Sequence, residues 1–198
     1  MPNIQKQLDL LYKILNSLSP LSEESWDVAK PFFSTQVFEK DAYVIRADDS
    51  VDTLFFVTSG MARYYYLTEN GKEFNKSFQT VGQVLTSVSS LATNNPSPFF
   101  IQALLATECL AIKYHDLQYL GKNYSDWNQL NFRMLEQVLI RKESREADFL
   151  QLNASQRYEK FLEEFSEVAN LIPNYHIASY LGITEVRLSR IRGTLKLT

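Results

Sequence analysis

The chain has 198 residues, of which 45% are hydrophobic and 22% charged, with a formal net charge of −3. With six Gly and six Pro, this composition excludes collagen-like, low-complexity and wholly disordered chains. A lone cysteine, Cys109, excludes an internal disulfide and a cysteine-built zinc or iron–sulfur centre, and two histidines, His115 and His176, are too few for a polyhistidine metal site.

The opening MPNIQKQLDLLYKIL mixes charge into its apolar residues, unlike a signal peptide, and no uninterrupted apolar run is long enough to span a membrane. The expected address is the cytoplasm, where cysteines stay reduced. Ile4, Leu8, Leu11, Leu15 and Leu18 recur at helical spacing and predict an amphipathic first helix. Ser22 caps a second, short helix through Trp26 and Ala29 that stops before Pro31.

From Thr35 to about Tyr114 the pattern changes to β-branched and aromatic runs: Tyr43 to Ile45, Leu54 to Val57, Ala62 to Leu67 and Phe99 to Leu105. Asp48-Asp49, Ser59-Gly60 and Glu69-Asn70-Gly71-Lys72 separate them; Asn-Gly between two such runs is a hairpin signal, because both residues tolerate positive φ. Short strands at a spacing of roughly ten residues imply a sandwich, jelly roll or small barrel. A polar stretch from Thr86 to Pro98 interrupts them, with one helical turn around Val88 and Leu91. An enzyme on a cupin-like barrel needs metal-binding histidines in its strands, and residues 35–114 contain none.

Ser125 to Leu152 lacks Gly and Pro and reads as one long helix. Trp127, Leu130, Met134 and Val138 form a stripe on it, from which a homodimer joined through residues 125–150 is expected. Six of the eight residues from Arg141 to Asp148 are charged, so that part is expected to be largely solvated. The remainder is helical, broken at Leu171 to Asn174 and at Gly182.

Residues 174–193, NYHIASYLGITEVRLSRIRG, meet the demands of a helix-turn-helix. Ala178 is the small residue at the crossing, Gly182 supplies the turn, and Ile177, Leu181, Ile183, Leu188 and Ile191 occupy inward positions. Thr184 caps the second helix. From Thr184 to Thr198 four basic residues, Arg187, Arg190, Arg192 and Lys196, face one acid, Glu185. A helical wheel puts Val186, Ser189 and Arg190 on the outer face and Arg187 and Arg192 on its flanks. That face suits a major-groove reader: Arg190 to a guanine, Val186 to a thymine methyl, the flanking arginines to phosphates. The alternative is a helical hairpin with a solvated basic face. His176 is expected on the helix surface, and Cys109 in the core as a small hydrophobe.

A barrel of this length, a long helix and a terminal helix-turn-helix resemble the Crp/Fnr-type regulators, whose effector domain is a cyclic-nucleotide-binding jelly roll. Residues 52–60, the hairpin at 69–73, residues 101–104, and residues 177–184 with 188–191 carry the resemblance. It implies an α+β chain in three parts: an effector β-barrel with N-terminal helices over 1–124, a dimerisation helix over 125–152, and a helix-turn-helix DNA-binding domain over 153–198. It implies double-stranded DNA, a second copy of the chain, a small-molecule effector and RNA polymerase as partners, with no cofactor and no catalytic residues.

Ser189 and Arg190 align with the family's base-contacting Ser-Arg pair, while Val186 stands where many members carry a glutamate. No wing hairpin is expected after Lys196. In nucleotide-binding members a Gly-Glu follows the position of Gly82, and an arginine comes later. Here Thr86-Ser87 and Ser97-Pro98 stand at those places, so neither charge is present. Cyclic AMP is therefore expected to bind weakly or not at all, leaving the hydroxyls of Thr86, Ser87 and Ser97 to line the pocket for another small polar ligand or for none. The competing function is a ligand-binding or scaffold protein whose helix-turn-helix no longer reads DNA.

Overall fold

The computed structural model describes residues 3–195; Lys196 lies outside them. Helix α1 (Ile4–Leu18), capped by Asn3, is followed by α2 (Glu23–Ala29), capped by Ser22 through its hydroxyl to the Ser25 N–H. Helix α2 ends at Ala29, before Pro31 as expected, and the chain adds one 3₁₀ turn, Lys30–Phe32, whose first turn tolerates the proline.

Eight strands then build two four-stranded antiparallel sheets. They are β1 (Ser34–Phe38), β2 (Tyr43–Ile45), β3 (Thr53–Ser59), β4 (Ala62–Leu67), β5 (Glu73–Gln79), β6 (Val84–Leu85), β7 (Phe100–Ala103) and β8 (Thr107–Lys113). One sheet runs β1-β8-β3-β6 and the other β2-β7-β4-β5. Ile45, Val57, Tyr64, Leu85, Phe99, Ile101 and Cys109 fill the space between them. Cys109 is fully buried, which pushes its thiol up to about 12, as expected of an inert core residue. At the β3–β4 corner Gly60 has φ +86°, and a Cβ there would lie 2.3 Å from the Ala106 carbonyl oxygen, so only glycine fits.

Helix α3 (Val88–Thr93) supplies the turn expected around Val88 and Leu91. Helices α4 (Tyr114–Asn123) and α5 (Ser125–Gln151) follow the last strand. The 27 residues of α5 make a rod about 40 Å long. The first part of its stripe faces the chain's own core. Trp127 and Leu130 are fully buried in the chain's own core, Trp127 stacking on Trp26 at 6.2 Å beside Leu8, Leu11 and Leu15, and Met134 packs partly against the same cluster. The N-terminal helices, whose docking site the periodicity of α5 alone does not reveal, cover this face. The apolar residues left exposed on α5 include Phe132, Leu135, Leu139 and Ile140, each 54–61% accessible, and, nearer its end, Phe149 and Leu150.

Helix α6 (Ala154–Glu164) opens with a capping box between Asn153 and Gln156. After a 3₁₀ turn at Ala169–Leu171 come α7 (Asn174–Leu181) and α8 (Glu185–Thr194). Their core is shared with the barrel. Met61, Phe78 and Leu104 join Tyr158, Phe161, Phe165, Ile177, Ala178, Tyr180, Leu181, Leu188 and Ile191 in one cluster.

Candidate nucleic-acid interface and effector pocket

The turn between α7 and α8 has the geometry its sequence demands. Gly182 adopts φ +67°, and its N–H donates to the Ala178 and Ser179 carbonyls. A Cβ at Gly182 would meet the Phe149 ring at 3.0 Å. Two arginines satisfy the carbonyls at the end of α7: Arg145 donates to Tyr180 O at 2.8 Å and Arg157 to Leu181 O at 3.2 Å. The charged part of α5 is thus not wholly solvated, since Arg145 and Asp148 turn back onto the C-terminal helices, Asp148 accepting from Lys160 at 2.7 Å.

Thr184 caps α8, its hydroxyl accepting from the Arg187 N–H at 3.2 Å. Leu188 and Ile191 are buried, whereas Val186, Arg187, Ser189 and Arg190 are exposed. Val186, Arg187 and Arg190 line an open groove of about 690 Å³ whose other wall is Asn153, Ala154 and Ser155 at the start of α6. Arg192 is half-buried and donates to Asn174 Oδ1 at 2.6 Å, which ties it to the start of α7.

His176 departs from expectation. It is 4% exposed rather than on the helix surface, because α7 is covered on two sides, by α8 and by β5. Its Nδ1 accepts from Arg63 Nη1 and from Asn75 Nδ2, both at 3.1 Å. Two donors on one ring nitrogen require the neutral imidazole with its proton on Nε2. Burial and then the adjacent Arg63 guanidinium push the imidazole down to about 4. Arg63 is itself buried, pairs with Glu73, donates to Gln102 Oε1 at 2.6 Å and lies over the Tyr65 ring at 4.0 Å. Ser179 closes the knot: its hydroxyl accepts from the Asn75 N–H at 2.9 Å and donates to Glu73 O at 3.1 Å. These residues clamp the first helix of the helix-turn-helix to the outer face of the barrel. They are scattered over more than a hundred positions, and only His176 stood out in the sequence, as a surface residue rather than a clamp.

The three hydroxyls assigned to the pocket are buried and occupied. Thr86 donates to Thr53 O at 3.0 Å, Ser97 donates to Phe99 O at 2.8 Å, and Ser87 bonds Ser90 at 2.8 Å. No cationic side chain is among their hydrogen-bond partners. Among the described residues no group of three or more His, Cys, Asp or Glu is placed to hold a metal ion. No helix among them is long and apolar enough to cross a membrane.

A two-sheet β-barrel, a long helix and a helix-turn-helix in this order are the fold of the Crp/Fnr-type regulators. Residues 35–124 match the cyclic nucleotide-binding domain. The chain is 24% identical over 169 residues to the anaerobic regulatory protein of Pasteurella multocida; the match covers 80% of this chain and 61% of that protein, so the chain spans about three fifths of its relative's length. Among solved structures it resembles FixK2 from Bradyrhizobium japonicum, with TM-score 0.73 and 20% identity over 83% of this chain and 84% of that one. It also resembles a CooA mutant from Carboxydothermus hydrogenoformans, with TM-score 0.70 and 22% identity over 96% and 87%.

Proposed function

We propose that this chain is a DNA-binding transcription regulator of the Crp/Fnr type, not an enzyme, that works in the cytoplasm as a homodimer and answers to an effector other than cyclic AMP. The observation that carries the reading is α8: a capped helix held on its inner side by Leu188 and Ile191, with Val186, Arg187, Ser189 and Arg190 presented together at the surface. In this reading Ser189 and Arg190 reach base edges, Val186 meets a thymine methyl, and Arg187 and Arg192 hold phosphates.

The exposed stripe of Phe132, Leu135, Leu139 and Ile140 on α5 supports the dimer. It is apolar, contiguous along one helix and uncovered within the protomer. Pairing two such helices places one recognition helix over each half-site. Segment 1–124 then senses, 125–152 dimerises and 153–198 reads DNA, with RNA polymerase as the partner downstream. The missing Gly-Glu and arginine, together with the internally bonded Thr86, Ser87 and Ser97, support the exclusion of cyclic AMP.

Selection of duplexes from a random pool tests the reading. A regulator enriches a palindromic site and binds it with an affinity that falls steeply with salt. If no sequence is enriched, the scaffold function takes its place.

A further inference from the structure

The register between β4 and β5 slips once. Tyr64 lies opposite Ser77 and Tyr65 opposite Asn75, which leaves Lys76 as the extra residue of a bulge. The bulge turns Asn75 and Phe78 to the same outer face, against the C-terminal helices, and frees Lys76 to reach the other side of the sheet.

There its ammonium lies 3.9 Å from the centre of the Phe99 ring and 5.7 and 5.8 Å from those of Tyr64 and Tyr66. Among the described residues it has no hydrogen-bond partner and no carboxylate. Burial, and then the like charge of Lys142 on α5, push it down to about 8. A half-buried ammonium held against aromatic rings, with the like charge of Lys142 acting on it, is an uncompensated positive site. The surface continues outward along the paired strands, where Tyr66 and Phe74 stand opposite each other and are both 42% exposed.

We infer that this shelf at the mouth of the barrel binds a small organic anion with a planar apolar body, its charged group on the Lys76 ammonium and its body against Phe99, Tyr66 and Phe74. The inference rests on the reading of the chain as an effector-linked regulator and names the effector's chemical class. The anion supplies the charge that the protein withholds from Lys76, and the rings supply apolar and stacking contact. A ribose finds little there, since the neighbouring hydroxyls of Thr86, Ser87 and Ser97 already serve the protein. The cation thus comes from a strand bulge, not from the loop that follows Gly82.

Isothermal titration of the full chain with naphthoate, naphthalenemethanol, acetate and cyclic AMP tests it. Naphthoate is expected to bind saturably, and the uncharged alcohol and the small anion at least about tenfold more weakly. Lys76→Met is expected to weaken naphthoate by about tenfold or more, and Lys76→Arg, which keeps the charge, to retain most of the affinity. The inference is overturned if Lys76→Met binds naphthoate as tightly as the unaltered chain, if the alcohol matches naphthoate, or if cyclic AMP binds more tightly and does so without Lys76. Operator binding is measured separately and without any ligand, so absent naphthoate binding beside intact operator binding sinks this inference alone.

Discussion

Mild acid is expected to erode the stability that the clamp between α7 and the barrel contributes. His176 must be neutral to accept from Arg63 and Asn75, and its pKa falls from 6.5 to about 4 on folding. A histidine with a lowered folded pKa binds its proton more readily in the unfolded chain. Its contribution to stability is therefore complete above pH 6.5 and is lost as pH falls toward 4. Between pH 7 and 5 the loss amounts to about 2 kcal/mol by linkage. Asp52 and Asp126 also have lowered pKa values, Asp52 chiefly through Lys113 and Asp126 through Ser25 and Ser22 acting against burial. Their share is lost mainly below the ordinary carboxylate range, whereas Glu164, raised by burial, gains its proton more readily in the folded chain and opposes the loss, so it is the comparison with a His176 variant that isolates the histidine.

The control is His176→Asn, which keeps an acceptor near Nδ1 and takes up no proton. Urea unfolding followed by circular dichroism at successive pH values should show the unaltered chain losing about 2 kcal/mol across the window and the variant losing little. Parallel losses in the two proteins would refute the assignment of the acid sensitivity to this histidine.

Phe78, 2% exposed and in contact with Phe161, Phe165 and Tyr180, joins the barrel to the C-terminal helices. Phe78→Ala should cost about 3–5 kcal/mol in chemical denaturation, with amide exchange quickening first in α6 and α7. Gly182→Ala forces a Cβ onto φ +67° and against Phe149, and should cost about 1–2 kcal/mol, read from the same unfolding curves. Leu135→Asp combined with Leu139→Asp should convert a dimer to a folded monomer in sedimentation equilibrium at micromolar concentration; an unaltered chain that already sediments as a monomer would remove the dimer.

The strands that the sequence announces, β2, β3, β4 and β7, are those rich in aromatic and β-branched residues. β1 (STQVF) sits at a sheet edge and β5 (EFNKSFQ) carries a bulge, so neither shows clean alternation. The helix-turn-helix is legible because a crossing, a left-handed turn and an inward stripe each demand a residue type at a fixed offset. The clamp of Arg63, Asn75, His176 and Ser179 is not, because isolated polar residues announce a partner only when the fold brings them together. One trace exists in α7. Its Ile177, Ala178 and Leu181 serve the helix-turn-helix, while His176, Ser179 and Tyr180 lie on flanks that a helix open to solvent on one side would expose. The dimer stripe shows the same limit: Trp127 and Leu130 are buried under the protomer's own N-terminal helices, while the equally apolar Leu135, Leu139 and Ile140 stay exposed, a division that the sequence of α5 alone does not carry.

The central claim is that α8 reads DNA, and the sharpest test compares Arg190→Ala with Arg187→Ala on a selected operator across a range of salt. Arg190 stands on the outer face and Arg187 beside the cap, both exposed. The account predicts that Arg190→Ala loses roughly 1–3 kcal/mol and relaxes preference at one base pair in each half-site. It predicts that Arg187→Ala weakens binding to all sequences alike and lowers the salt slope by about one for each phosphate contact removed. Affinity and slope unchanged in both variants would contradict it.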